Sequence, residues 1–193
     1  MDNNFFAMIS RMKFIERWSL MRNSQSENIS EHSLEVSILA HALAIISKER
    51  LGNYLNPERA ALIGIYHDAT EIITGDMPTP IKYFNEDIQG AFKVVEKVAA
   101  NKLLAMLPED MRNHYEAIFF PQEEDAYLWK LVKAADKLSA LIKCIEEKKA
   151  GNTEFISAEK SIMLIIKEMK LREVDIFLEE FLPAYYKTLD ELQ

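Results

Sequence analysis

Cysteine occurs once, at position 144, so the chain has no intrachain disulfide framework. Cys144 lies within the apolar-periodic run Leu138, Leu141, Ile142 and Ile145 and reads as a buried core thiol. No surrounding motif marks it as a nucleophile. Glycine and proline are also sparse, 5 and 6 among 193 residues, which leaves few places to turn and favours a few long helices over many short strands. No window alternates strictly between apolar and polar residues, so no sheet is expected. Positive charge is in deficit: 23 Lys and Arg stand against 31 Asp and Glu, a formal net charge of −8. Such a surface repels nucleic-acid backbones and argues against a polymer of nucleic acid as partner. A single nucleotide is not excluded, because a cation or a local Arg can reverse the field inside one pocket. No stretch approaches a membrane span, and residues 1–10 hold no basic segment followed by an apolar one. The expectation is therefore a cytoplasmic protein with no membrane contact.

What is present is a globular composition, 49% hydrophobic and 28% charged, at a length that suits one domain with a sizeable core. Helical spacing dominates. Phe5, Met8, Ile9, Met12 and Ile15 predict a first helix to about Glu16 or Arg17, followed by a loop over 18–28. Asn28 or Ser30 can cap a long helix carrying Val36, Leu39, Ala40, Leu43 and Ile46, with Gly52 just past its end. Asn56-Pro57 opens another, predicted to run through His67 to Ile73 and to stop at Gly75. Asp76-Met77-Pro78-Thr79-Pro80 cannot be regular helix, since two prolines fix backbone angles and remove two amide donors. Asn85 caps a helix to about Leu107, Pro108 opens a short one, and a longer one covers roughly 123–149. One or two more reach about Leu192, with Pro183 breaking or bending the last. The fold class is an all-α, multi-helix bundle, with residues 1–193 as one domain.

The focal point for chemistry is His67-Asp68. On a helix, neighbours stand about 100° apart, so both can reach one ion at the edge of a face. Imidazole and carboxylate together suit Mn, Co, Zn, Fe or Ni better than Ca or Mg. His32, in the first turn of the second helix, and Asp136, amid Leu131, Val132, Ala134, Ala135 and Leu138, can complete a site. Taken singly, each residue has an ordinary explanation. A lone His is usually structural, and a mid-helix Asp136 can pair with Lys133 or Lys137. An acidic residue on so apolar a stretch is nonetheless costly to bury without a neutralising partner. Glu71, four residues after His67, would lie within about 60° of both motif residues on a continuous helix, where a carboxylate can carry a proton. Arg17 offers planar, permanently charged donors that match phosphate oxygens. Trp18 reads either as core or as a ring stacking on a sugar or base. The proline-rich segment reads either as a rigid connector or as a ligand-contacting loop. His41 and His114 lack comparable context and are assigned structural roles.

The order His32, then His67-Asp68, then Asp136, each on a separate predicted helix, resembles the H…HD…D arrangement of the HD-domain phosphohydrolase superfamily. Longer segments narrow it: Arg17-Trp18-Ser19-Leu20-Met21-Arg22, residues 27–34, residues 66–71, and residues 74–84 resemble bacterial 5′-deoxynucleotidases of the YfbR type. Met77 stands where Leu is expected. The resemblance covers about Phe5 to Leu192. It implies a homodimeric hydrolase of deoxyribonucleoside 5′-monophosphates that releases phosphate by attack of a metal-bound water, with one divalent transition metal (Co, Mn, Zn, Fe or Ni). It implies His32, His67, Asp68 and Asp136 as metal ligands and Glu71, Asp68 and Arg17 as catalytic residues. Substrate contacts are implied for Arg17, Trp18, His32, Asp68, Asp76, Met77, Pro78, Thr79 and Asp136. The alternatives are another nucleotide phosphohydrolase of the superfamily, a triphosphohydrolase or cyclic phosphodiesterase, or a non-catalytic nucleotide sensor. With only Arg17, and Arg22 nearby, the cation count favours a monophosphate.

Overall fold

The computed structural model describes residues 3–82 and 84–193, without the side chain of Thr79. Among the described residues the chain is helical, its only extended pairing an isolated antiparallel bridge between Glu16 and Asn28. In order run α1 (Phe5–Ile9), α2 (Ile29–Leu51), α3 (Pro57–Tyr66), α4 (Glu71–Thr74), α5 (Thr79–Lys82), α6 (Glu86–Leu104), α7 (Glu109–Phe119), α8 (Ala126–Lys149), α9 (Ile156–Glu168) and α10 (Arg172–Glu180). The 3₁₀ segments Ser10–Phe14, Leu182–Tyr186 and Asp190–Leu192 complete it.

The long helices start where their caps say. Asn28 accepts from the backbone N–H of Ser30 and Glu31, and the Glu31 side chain returns to the Asn28 N–H, a reciprocal cap that fixes the start of α2. Gly52 closes α2 in the left-handed conformation, φ 73°. Asn56 caps α3 with Pro57 at its first position, and Asn85 caps α6.

Helix α2 is the centre of the fold. Val36, Leu39, Ala40, Leu43 and Ala44 are buried against Leu131, Leu138, Leu141, Ile142 and Ile145 of α8, and Ile63 of α3 joins the same core. A second cluster closes the other end: Phe5, Leu103, Leu104 and Leu107, with Tyr66, Tyr115 and Phe119 packed on them. Cys144 is fully buried, and burial pushes its thiol up to about 12, as suits an inert core group. By length and composition α2 is also long and apolar enough to cross a bilayer, which the sequence reading did not anticipate. Over half of its most apolar window is buried inside the fold, so here it is the core helix.

Three expectations need correction. The first helix ends its α-turns at Ile9 and tightens into the 3₁₀ segment; Ile15 is already extended, so Glu16 is free to bridge Asn28. The helix expected to run through His67 to Ile73 instead ends at Tyr66, and residues 67–70 form a turn before α4. The dihedrals stay helical at His67 (φ −58°, ψ −35°), but the hydrogen bonds shorten: Ala69 N–H donates to Tyr66 and Glu71 N–H to Asp68, three residues back. One reason is local: the Gly64 carbonyl is taken by the His67 ring. Finally, the proline-rich segment does contain helix, the single turn α5, because proline is tolerated in a first turn where its missing N–H would have no partner.

Candidate metal and nucleotide site

The three ligand-bearing segments meet where α2, the α3–α4 turn and α8 converge. His32 sits in the first turn of α2 and is fully buried; Asp136 lies mid-α8; His67 and Asp68 occupy the turn after α3. Nε2 of His32 is 3.5 Å from Asp68 Oδ2 and 3.2 Å from Asp136 Oδ1, and Nε2 of His67 is 3.1 Å from Asp68 Oδ2. His32, His67 and Asp68 each offer a ligand atom within 4.8 Å of the others.

The spacing and the aim of these atoms fit a cation. Two ligand atoms bound at about 2.1 Å to one ion stand roughly 3.0–3.4 Å apart, for octahedral through tetrahedral angles. Despite the carboxylates nearby, the buried Nε2 atoms of both histidines have no hydrogen-bond partner: the rings are aimed past the oxygens. Their other nitrogens are tied down, His67 Nδ1 to the Gly64 carbonyl at 2.8 Å and His32 Nδ1 to Ser139 Oγ at 3.0 Å. Such ties leave Nε2 as the coordinating atom. Burial disfavours charge on Asp68, yet His67 and His32 hold it well below the ordinary range. Asp136 is part-buried, which opposes its charge, yet Lys137 first, at 2.8 Å, and then His32 and His67 hold it low. Burial and the Arg17 charge keep His32 neutral. His67 is shifted the other way: burial opposes its charge, but Asp68 and then Asp136 raise it. Carboxylates and imidazole nitrogens together form a donor set for a divalent transition metal. Asp136 does pair with Lys137, and that pairing coexists with its approach to His32.

Glu71 begins α4. It is buried, and burial together with the charges of Asp68 and Asp76 pushes its carboxyl up to about 10, against the opposing pull of Lys82 and Arg17. Its Oε2 has no partner. The group is thus a held proton rather than a solvated anion, although the turn, not a continuous helix, brings it beside Asp68.

A cavity of about 490 Å³ opens next to this cluster, a size suited to a small ligand. Arg17, Trp18, Asp76, Met77 and Pro78 line it; the Thr79 side chain lies outside the described residues. Lys137, Ala140 and the α9 residues Ser157, Ser161, Ile162 and Ile165 also line it, residues that the sequence did not single out. Arg17 is part-buried, bonded to Glu27 at 2.7 Å and 3.9 Å from Asp136. Burial opposes its charge, and Glu27, Asp136, Asp68 and Asp76 outweigh that. Trp18 packs on Phe155 (centroids 5.3 Å apart) and edges the core, and it also lines the cavity. Its backbone is left-handed, φ 59°, a conformation costly for a bulky residue and held by its surroundings. Glu27 does much of that holding, since one of its oxygens accepts from both Arg17 Nη1 and Trp18 Nε1. Burial raises Asp76, opposed by Arg17. His41 and His114 are not in the ligand group.

Glu27 and the α9 wall carry no sequence signal of their own. Glu35 and Ser139 did have one: each stands one helical turn after a candidate ligand, His32 and Asp136 respectively.

Comparison with known proteins agrees with this geometry. A family model described as 5′-deoxynucleotidase YfbR-like matches residues 4–185. A 5′-deoxynucleotidase of Erwinia tasmaniensis is 46% identical over 190 residues, 98% of this chain and 96% of that one. The 5′-deoxynucleotidase YfbR of Escherichia coli is 46% identical over 194 residues, covering 99% and 96%. An HD-domain phosphohydrolase of Listeria innocua superposes with a TM-score of 0.81 at 23% identity, over 94% of this chain and 88% of that one. The cyanophage S-2L HD phosphohydrolase DatZ, solved with dA and one catalytic Zn²⁺, superposes with a TM-score of 0.65 at 21% identity, over 94% and 96%. The last two establish the all-helical HD-domain fold. The chain belongs to the YfbR-like family of 5′-deoxynucleotidases.

Proposed function

We propose that the chain is a metal-dependent 5′-deoxynucleotidase, converting deoxyribonucleoside 5′-monophosphates to deoxyribonucleoside and orthophosphate. The observation that carries this reading is the pair of buried, partnerless Nε2 atoms aimed beside Asp68 and Asp136, next to a cavity lined by Arg17. His32, His67, Asp68 and Asp136 would hold one divalent ion, drawn from Co, Mn, Zn, Fe and Ni by the donor types. When bound, such an ion offsets phosphate charge and acidifies water enough for attack near neutral pH.

The remaining work falls to the chain. Arg17 orients the phosphate through charge-assisted hydrogen bonds, and Glu27 fixes where that guanidinium points. As the water oxygen bonds to phosphorus and the phosphorus–O5′ bond breaks, Glu71 carries a proton to the leaving 5′-oxygen. Trp18 and Asp76, with the Met77-Pro78 backbone and Thr79, hold the sugar; a tight wall there disfavours a 2′-hydroxyl. His32, Asp68 and Asp136 touch the phosphate by way of the ion they would share.

Three coarser readings accompany this one. The chain acts as a single HD domain and works in the cytoplasm. It pairs as a homodimer, for which an exposed apolar stripe on α2 is the support: Leu34, Ile38 and Ile45, at 61%, 60% and 40% exposure, repeat at helical spacing on its outer face. A phosphate-release panel of ribo- and deoxyribonucleoside monophosphates tests the activity. Orthophosphate from the deoxy substrates, abolished by EDTA and restored by a transition ion, is expected. Pyrophosphate or triphosphate as product, or equal use of ribonucleotides, contradicts it.

A further inference from the structure

His32 and His67 are both tied at Nδ1, but by different devices. The Gly64 carbonyl can only accept, so the His67 proton must lie on Nδ1. A serine hydroxyl can donate or accept, so Ser139 alone would leave the His32 tautomer open. Glu35 removes the choice. Ser139 Oγ is 2.5 Å from Glu35 Oε2, and a carboxylate only accepts, so the single hydroxyl proton is committed to Glu35. Ser139 can then only accept from His32, the imidazole proton sits on Nδ1, and Nε2 presents its lone pair where Asp68 and Asp136 converge.

We propose that Glu35, acting through Ser139, is a positioning residue for the metal site, setting the tautomer of His32. This rests on the metal-site reading above. The placement supports it: Glu35 follows His32 by one turn of α2, Ser139 follows Asp136 by one turn of α8, and Ser139 is fully buried. A stabilising role explains Glu35 poorly, because its partial burial and the charges of Glu27 and Glu146 oppose its ionisation, with Ser139 and Arg17 on the other side.

The test is Co²⁺ titration of chelator-stripped protein, read by calorimetry and by the visible Co²⁺ absorption, on wild type, Glu35→Gln, Ser139→Ala and the double variant. Each single variant weakens Co²⁺ binding about 10- to 100-fold. The double variant binds no more weakly than Ser139→Ala, because Glu35 has nothing left to act through. The apo melting temperature of Glu35→Gln is not below that of wild type. Wild-type affinity in Glu35→Gln, additive losses in the double variant, or a lowered apo melting temperature in Glu35→Gln each overturns the proposal while leaving the metal site intact. If Ser139→Ala does not fold, Glu35→Gln alone still decides by affinity and apo melting. A wild type that takes up no stoichiometric Co²⁺ overturns the site reading and this proposal together.

Discussion

The carbonyl of Gly64 receives the Nδ1 proton of His67 at 2.8 Å, at the point where α3 lies directly against α2. A Cβ on Gly64 would stand 2.8 Å from Ser37 Cα and 3.0 Å from Ser37 N, backbone atoms that cannot rotate away. One glycine therefore sets both the closeness of the elements that carry His32 and His67 and the aim of the His67 ring. Gly64→Ala should cost about 1–3 kcal/mol of stability through overpacking. It should also shrink the stabilisation gained on adding metal, because His67 moves with α3. Thermal melts with and without a transition ion check both effects.

Glu71→Ala should retain metal and nucleotide affinity and lose about 10²- to 10⁴-fold in kcat, the range for removal of a proton carrier. The buried Oε2 of Glu71 has no hydrogen-bond partner to lose, so folding should tolerate the change. Turnover of dAMP at the wild-type rate would remove Glu71 from the mechanism.

The elements most legible in the sequence were those with local physics at their ends. Asn28, Asn56 and Asn85 announce α2, α3 and α6 because capping uses only neighbouring backbone. The break at His67 was not legible. Apolar spacing continues through Ala69 and Ile72, the dihedrals remain helical, and only the hydrogen-bond register changes. The four proposed ligands could be found by their order along the chain. Glu27, which acts on Arg17 and Trp18 through a folded-back loop, could not, nor could the α9 wall, since both depend on tertiary placement. The C-terminal apolar residues divide between core and surface: Ile176, Phe177 and Leu182 are buried, while Phe181 and Tyr186 are exposed.

The loop carrying Trp18 is anchored from outside the site. Glu147, buried on α8, accepts from the Ser24 and Gln25 N–H groups, Asn152 and Lys143. Burial opposes its charge, but these bonds lower the carboxyl to about 2. A carboxylate depressed in the folded state stabilises above its unfolded value and loses that contribution as pH falls through the folded one. The window therefore runs from about 4.5 down to about 2. The contribution is about 3 kcal/mol. Denaturant midpoints measured across that window should fall steeply in wild type and more gently in Glu147→Gln, which should be less stable at neutral pH.

Asp136→Asn should lose the metal. It removes a carboxylate from beside His32 while keeping nearly the same volume, so the fold should persist. Metal analysis after desalting should find the variant empty where wild type carries one ion per chain. Full stoichiometric retention would count against Asp136 as a ligand.

Anomalous diffraction at the absorption edge of a soaked Co²⁺ or Zn²⁺ tests the central claim most directly. One strong peak should appear between α2, the α3–α4 turn and α8, about 2.0–2.2 Å from Nε2 of His32 and His67 and from an oxygen each of Asp68 and Asp136. A peak elsewhere, or full occupancy that leaves His32 or His67 outside bonding distance, would contradict it.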